Sequence, residues 1–271
     1  MKKILFNGCS FVAGDAIVWD KYCCEHNSTL NWKDGFGVKQ RTREEIIFHN
    51  EYRHEYRKQY NLPSSIAKNL QIECVDISED SYSNDMISIS TVLFLSRLSL
   101  EKRKQYHVCI GWSALSRLMK YNSVEKRFVN LNALAANIKH LDSTFESYID
   151  SAIVKSYDED FFLNFIRNLM FLENFLLAND ISYTFFKSMG LSDNCVNLHL
   201  DNINCNTDSM ILSDDNNWYK FDDKLSYMGT SWFESTIKNN HDYHIAKDNR
   251  HPNLSAVVKF AKEISDFIKN K

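Results

Sequence analysis

Glycine and proline are scarce in this chain, at seven and two of 271 residues. So few glycines leave no phosphate cradle: neither GxGxxG nor GxxxxGKS/T occurs, which weighs against a Rossmann-type or P-loop nucleotide binder. The stretch Gly8 to Gly14 still offers a place for an anion at a helix N-terminus. No Pro/Gly-rich linker and no internal repeat divides the sequence. One domain over 1–271 is therefore expected, with insertions around 15–60 and 115–156.

Charge of one sign is also missing. Thirty-two Lys+Arg against 35 Asp+Glu leave a net charge of -3, which gives no general attraction to nucleic acid or an anionic membrane. No long apolar segment follows Lys2 and Lys3, so no secretory leader is read there. No apolar run approaches the ~20 residues needed to cross a bilayer. The seven cysteines are odd in number and form no CxxC pair, so neither a disulfide framework nor a structural zinc site is indicated. A reducing compartment, hence a cytoplasmic location, is expected. His241 and His244 have i, i+3 spacing without a third ligand and read as a surface pair, so neither metal nor cofactor is expected.

Short apolar runs alternate with amphipathic stretches. Ile4-Leu5-Phe6, Ile72 to Ser78, His107 to Gly111 and Ile181 to Phe186 read as strands. Helices are expected over 43–60 with an aromatic face, from Pro63 to Leu70, from Asp85 to Lys104, from Tyr157 to Asn179 and from Asn253 to Lys269. Residues 115–156 read as helices and loops, and 192–217 as loop. This alternation predicts a parallel sheet covered on both faces.

In such a sheet, ligands gather at the carboxyl ends of the strands. Ser10 follows the first strand, the Ser81–Asn84 turn the second, and Ser113 the third. Ahead of the last helix stands Asp248-Asn-Arg-His251-Pro252. A hydroxyl, an imidazole to take its proton and a carboxylate to orient the imidazole are what acyl transfer requires. Taken alone, Ser10 would be a helix N-cap. Trp112 and Arg117 are candidates for lining the substrate cleft. Their plainer readings are a core aromatic and an ion-pair partner.

These residues resemble the SGNH, or GDSL-type, hydrolases. Gly8-Cys-Ser10-Phe-Val-Ala-Gly14 is similar to the family's first block, Gly-Asp-Ser-x-x-x-Gly, with Cys9 replacing the aspartate. Asp248 and His251 match its last block, Asp-x-x-His. The nearest resemblance is to a phage-associated subgroup reading Gly-Cys-Ser-Phe-x-x-Gly, with a Ser-Asn-Asp turn (Ser83-Asn84-Asp85) and a Gly-Trp-Thr-Ser-x-x-Arg block (Gly111 to Arg117). The resemblance implies a flavodoxin-like, three-layer α/β/α fold, with Ser10 as nucleophile, His251 as base and Asp248 as orienting acid. Ser81 stands nearest the place of the family's oxyanion glycine, and Ser113 at that of its asparagine. Asn84 is a further donor candidate. The activity implied is hydrolysis of small acyl esters, O-acetylated carbohydrate included, without a cofactor. The alternative is a catalytically degenerate domain used for binding or phage assembly, host-cytoplasmic or virion-associated.

Overall fold

The structure, a computed structural model, describes residues 2–14, 17–18, 21–22, 25, 47, 51–80, 82–115, 117–122, 126–131, 158–189, 215–220, 231–232, 235, 244–246 and 249–271. The chain opens with β1 (Lys3–Gly8), whose Ile4, Leu5 and Phe6 are wholly buried, and turns directly into the short α1 (Ser10–Ala13). Helix α2 (Arg53–Tyr60) occupies the end of the expected 43–60 helix, with Tyr56 packed against Tyr22 and Tyr60. Helix α3 (Leu62–Leu70) starts where Pro63 predicts, with the Asn61 side chain accepting from Ser64 N–H. Strand β2 (Glu73–Asp76) follows, shorter than the apolar run.

The expected 85–104 helix is two helices. Helix α4 (Asn84–Ser96) ends at Arg97, and α5 (Leu100–Arg103) restarts after an extended Ser99. The break leaves carbonyls at the end of α4, and Arg103 closes them by donating from Nε to Leu95 O (2.9 Å) and from Nη2 to Ser96 O (3.2 Å).

Strand β3 (Tyr106–Trp112) is buried along its whole length. Where helices and loops were expected after it, β4 (Leu118–Asn122) and β5 (Arg127–Leu131) form an antiparallel pair. Then come α6 (Asp158–Ala178) and β6 (Ser182–Lys187). The ribbon of β7 (His244–Ala246) and β8 (Asn249–Pro252) leads into α7 (Leu254–Lys269), capped by Asn253.

The main sheet runs β2-β1-β3-β6, all parallel, the flavodoxin-like order. Beyond β6, Trp218 adds a parallel bridge to Phe185, blunting that edge. Alternate side chains feed two cores. Leu5, Val108, Ile110, Trp112 and Phe185 face Leu95 of α4 and Phe165, Leu169 and Leu172 of α6. Ile4, Phe6, Cys109 and Phe186 face Val12 of α1, Ile66 of α3 and Val257, Phe260 and Ile264 of α7. The result is a three-layer α/β/α fold.

Helix α6 carries an 18-residue window, Phe161–Ala178, of mean hydropathy 1.3. It is long and apolar enough to cross a bilayer, against the expectation that no stretch approached that length. Its buried side serves as core against the sheet.

Candidate active site

Two glycines make the sheet edge. Gly8 and Gly111 are register partners at the ends of β1 and β3. A Cβ on Gly8 would fall 2.4 Å from Val12 Cγ2 and 2.9 Å from Gly111 O, and one on Gly111 would fall 2.4 Å from the same Val12 atom. Only bare backbone lets α1 lie this close to the strand ends. Gly14 then leaves α1 at φ +68°, in the left-handed region that suits glycine. Ser10 and Ser113 each stand two residues beyond the Gly8–Gly111 pair. The backbone therefore delivers both serines to neighbouring strand ends.

Polar groups fix this edge in place. The Asn7 carboxamide accepts from Gly8 N–H (2.9 Å) and donates from Nδ2 to Ile87 O (3.0 Å), Ser90 Oγ (2.8 Å) and Thr91 Oγ1 (2.9 Å), tying the end of β1 to α4. Nothing in the sequence reading singled out Asn7. Its signal was an amide closing an apolar strand, where a buried polar group needs partners. Cys9, fully buried, lies 3.3 Å from Ser188 Oγ, while that hydroxyl donates to Trp112 O at 2.7 Å. Cys9 is thus a packing residue that links β1 to the β3 and β6 ends.

The Ser-Asn-Asp turn resolves into three tasks. Ser83 caps α4 by accepting from Met86 N–H (3.3 Å). Asn84, 1% exposed, accepts from Ser113 N–H at 2.9 Å and donates to Ser113 O at 3.3 Å. Its amide is committed to the Ser113 peptide and fixes the exit of β3. Asp85 accepts from Met119 N–H (3.2 Å), Asn164 Nδ2 (3.2 Å) and Asn168 Nδ2 (3.1 Å), joining α4, the β4–β5 ribbon and α6.

Ser113 itself is 4% exposed, and its buried Oγ meets no hydrogen-bond partner among the described residues. The buried Nε1 of Trp112 and Nη1 of Arg117 likewise meet no partner among the described residues. The Trp112 ring is core, 5.5 Å from Phe165 and from Phe185 in edge-on contacts.

The end of β2 is built differently. The Asp76 carboxylate accepts from Asn61 Nδ2 (2.7 Å), Ser78 N–H (3.0 Å) and the Ser78 hydroxyl. Arg57 donates to Ser78 O (2.9 Å), and Arg53 pairs with Glu79 (2.6 Å), whose N–H donates to Gly8 O (3.2 Å). Burial raises the Asp76 carboxyl above its ordinary range, outweighing Arg57 and the Ser78 and Asn61 hydrogen bonds, which lower it. Although the residue keeps some surface, desolvation of the carboxylate governs it. A cavity of about 510 Å³ lies between α2, α3 and β2, lined by His54, Arg57, Lys58, Lys68 and Asp76 among others. Of the candidate residues that are described, neither Ser113 nor His251 lines it.

His251 is half-buried on β8, ahead of α7. The first turns of α7 (Ala256, Val257) share a core with Cys9 and Val12, so this end of α7 packs at the Ser10 end of β1. The expected turn around His251 is an extended ribbon paired with β7. Ser81, Asp248 and His241 lie outside the described residues. Among the described residues no three His, Cys, Asp or Glu side chains gather as metal ligands.

No protein-family model and no curated protein matches the chain. Similar solved structures include a psychrotrophic esterase, EstA, from a Pseudoalteromonas species, inhibited by monoethylphosphonate (12% identity, TM-score 0.44, covering 100% of this chain and 98% of that one). A proposed lipolytic protein of the G-D-S-L family from Desulfitobacterium hafniense aligns at 11% identity and TM-score 0.44, over 98% of this chain and 99% of that one. A carbohydrate esterase whose active site has catalytic and non-catalytic binding functions aligns at 12% identity and TM-score 0.44, over 100% of this chain and 65% of that one. At such identities the chemistry has to be argued from the residues.

Proposed function

We propose that the chain is an SGNH-type serine hydrolase of small acyl esters, with acylated carbohydrate among its substrates. The observation that supports this reading is the paired glycine edge, which lets α1, with Ser10 as its first residue, lie close to the ends of β1 and β3. Ser10 attacks the acyl carbon, and His251 takes the hydroxyl proton and returns it to the leaving alcohol. Asp248 holds the imidazole tautomer, and water then releases the acyl group. The Ser113 hydroxyl, which meets no acceptor among the described residues, is the donor assigned to the oxyanion. The N–H groups of Ser10 and Ser81 complete that hole. The residues require no metal or organic cofactor for these steps, and the location we assign is cytoplasmic, phage-encoded origin included.

A second reading, a degenerate domain for binding or phage assembly, is favoured by one feature. The Asn84 amide, a candidate oxyanion donor, is occupied by the Ser113 peptide. A fluorophosphonate probe separates the two readings. Covalent labelling of the wild type that disappears in Ser10→Ala supports the hydrolase, and a folded protein that takes no label supports the binding domain.

A further inference from the structure

We propose that the cavity beside β2 binds an organic phosphomonoester, with the phosphate at a cationic rim and an apolar stem along the inner wall. The site lies apart from the hydrolase residues, since neither Ser113 nor His251 lines it, and it goes beyond that reading. Helix α3 runs ahead of β2, the outermost strand of the main sheet among the described residues. Ser64, Ala67 and Lys68 recur at three- and four-residue steps and so share one side of α3. Ile72, Cys74 and Asp76 alternate through β2 and the residue before it, and share one side of the strand. All of them line the cavity, whose 510 Å³ falls within the range of small-molecule sites.

Positive charge converges on this cavity from two helices. His54, Arg57 and Lys58 stand at i, i+3 and i+4 of α2, hence on one face, and all three line it. Lys68 belongs to α3, yet its Nζ donates to Gln59 O at 3.1 Å, which carries the ammonium to the residue after Lys58. Arg57 is fixed on Ser78 O (2.9 Å) and acts on Asp76, the one carboxylate of the lining, so these two charges offset each other. Lys58 and Lys68 remain as surplus cations on a chain of net charge -3. Lys58 meets Glu55 at 2.8 Å, but both side chains are more than half exposed, and such a pair yields readily to a stronger anion.

The chemistry of the ligand follows from this lining. Two ammonium groups are point charges on flexible stems, suited to a compact anion of high charge. A phosphomonoester carries about -1.5 to -2 at neutral pH, which matches them. The inner wall is of another kind: Pro63, Ala67, Ile72 and Cys74 make it apolar. Burial pushes the Cys74 thiol up, so it stays neutral and packs as a small hydrophobe. That wall is shaped for an aliphatic or aromatic stem, and free phosphate would leave it uncovered.

The test is calorimetric titration of the full-length protein with phenyl phosphate, inorganic phosphate and phenol. Phenyl phosphate is expected to saturate one site, about tenfold tighter than either fragment, and to bind more weakly as salt is added. Lys58→Met combined with Lys68→Met should weaken it about tenfold or more, and the paired Lys→Arg variant should keep most of the affinity. Lys102→Met, on the exposed side of α5, should change nothing. Thermal unfolding of each variant checks the fold. No saturable binding to the wild type, or a double Met variant that binds as the wild type does, overturns the proposal. Phenyl phosphate binding no tighter than inorganic phosphate also overturns it, since the site would then serve a free anion. Fluorophosphonate labelling is a separate readout, so failure of the hydrolase reading and failure of this one are told apart.

Discussion

The two strand ends that flank β1 treat polar groups in opposite ways. At the end of β2, Asp76, Asn61, Ser78 and Arg57 form a closed set in which donors meet acceptors. At the end of β3, the peptide of Ser113 is clamped by Asn84 while its hydroxyl, the Trp112 indole N–H and an Arg117 nitrogen meet no acceptor among the described residues. Both ends sit on one rigid parallel sheet, so the contrast is not one of order against disorder. A closed network contributes to stability, whereas unmatched donors lower it and are retained where they bind something. The β2 end holds the segment that leads toward Ser81, and the β3 end carries the hydroxyl proposed as an oxyanion donor.

Substitutions should separate these roles. The largest effect is expected for Ser10→Ala, which should lower turnover of a short-chain aryl ester by ~10⁴-fold or more with an unchanged unfolding midpoint. Retained turnover would remove Ser10 from the mechanism. Ser113→Ala comes next, at ~10²–10³ in kcat if its hydroxyl holds the oxyanion. Because that hydroxyl meets no partner among the described residues, the variant should be as stable as the wild type. A drop in both activity and midpoint would mean that the β3 end is structural after all.

Arg57→Met should show the reverse signature. It removes the guanidinium from Ser78 O and from the neighbourhood of Asp76, at a cost of about 1.5–3 kcal/mol in chemical denaturation. Its effect on turnover should follow only from lost stability or a displaced 76–81 segment. An unaffected midpoint would dissolve the contrast between the two ends.

The smallest effect at neutral pH belongs to the amino half of β3. His107 is buried between Ser182 Oγ and Thr184 Oγ1, 3.0 Å from each. Burial, with Lys271 second, holds its imidazole at about 3, against 6.5 ordinarily. The folded state thus resists a proton that the unfolded chain accepts. Its stabilising contribution is full above 6.5 and is lost as pH falls toward 3. His107→Gln should flatten that acid limb, and an identical pH profile would show that other groups set it.

Much of the fold was legible because parallel strands buried on both faces are short apolar runs, and each of the four was recognisable. The same holds for Pro63 and Asn253, whose helix starts are written in local chemistry. The β4–β5 ribbon was missed because Leu118 to Leu131 mixes charged and apolar residues without clear alternation, and its place is set by Asp85 reaching Met119. The break at Arg97 was missed because apolar periodicity continues through Leu98 and Leu100. Arg103, distant in the pattern, is what accommodates the stop.

The sequence by itself determined the order of strands and helices, and it put Ser10 and Ser113 at strand ends through the glycines just before them. Local propensity and burial period suffice for that. Only the tertiary structure decided what those ends do. Register set Gly8 against Gly111 under Val12, and packing turned Asn84 toward the Ser113 peptide. Which donors found acceptors depends on residues dozens of positions apart, and no local pattern carries that information.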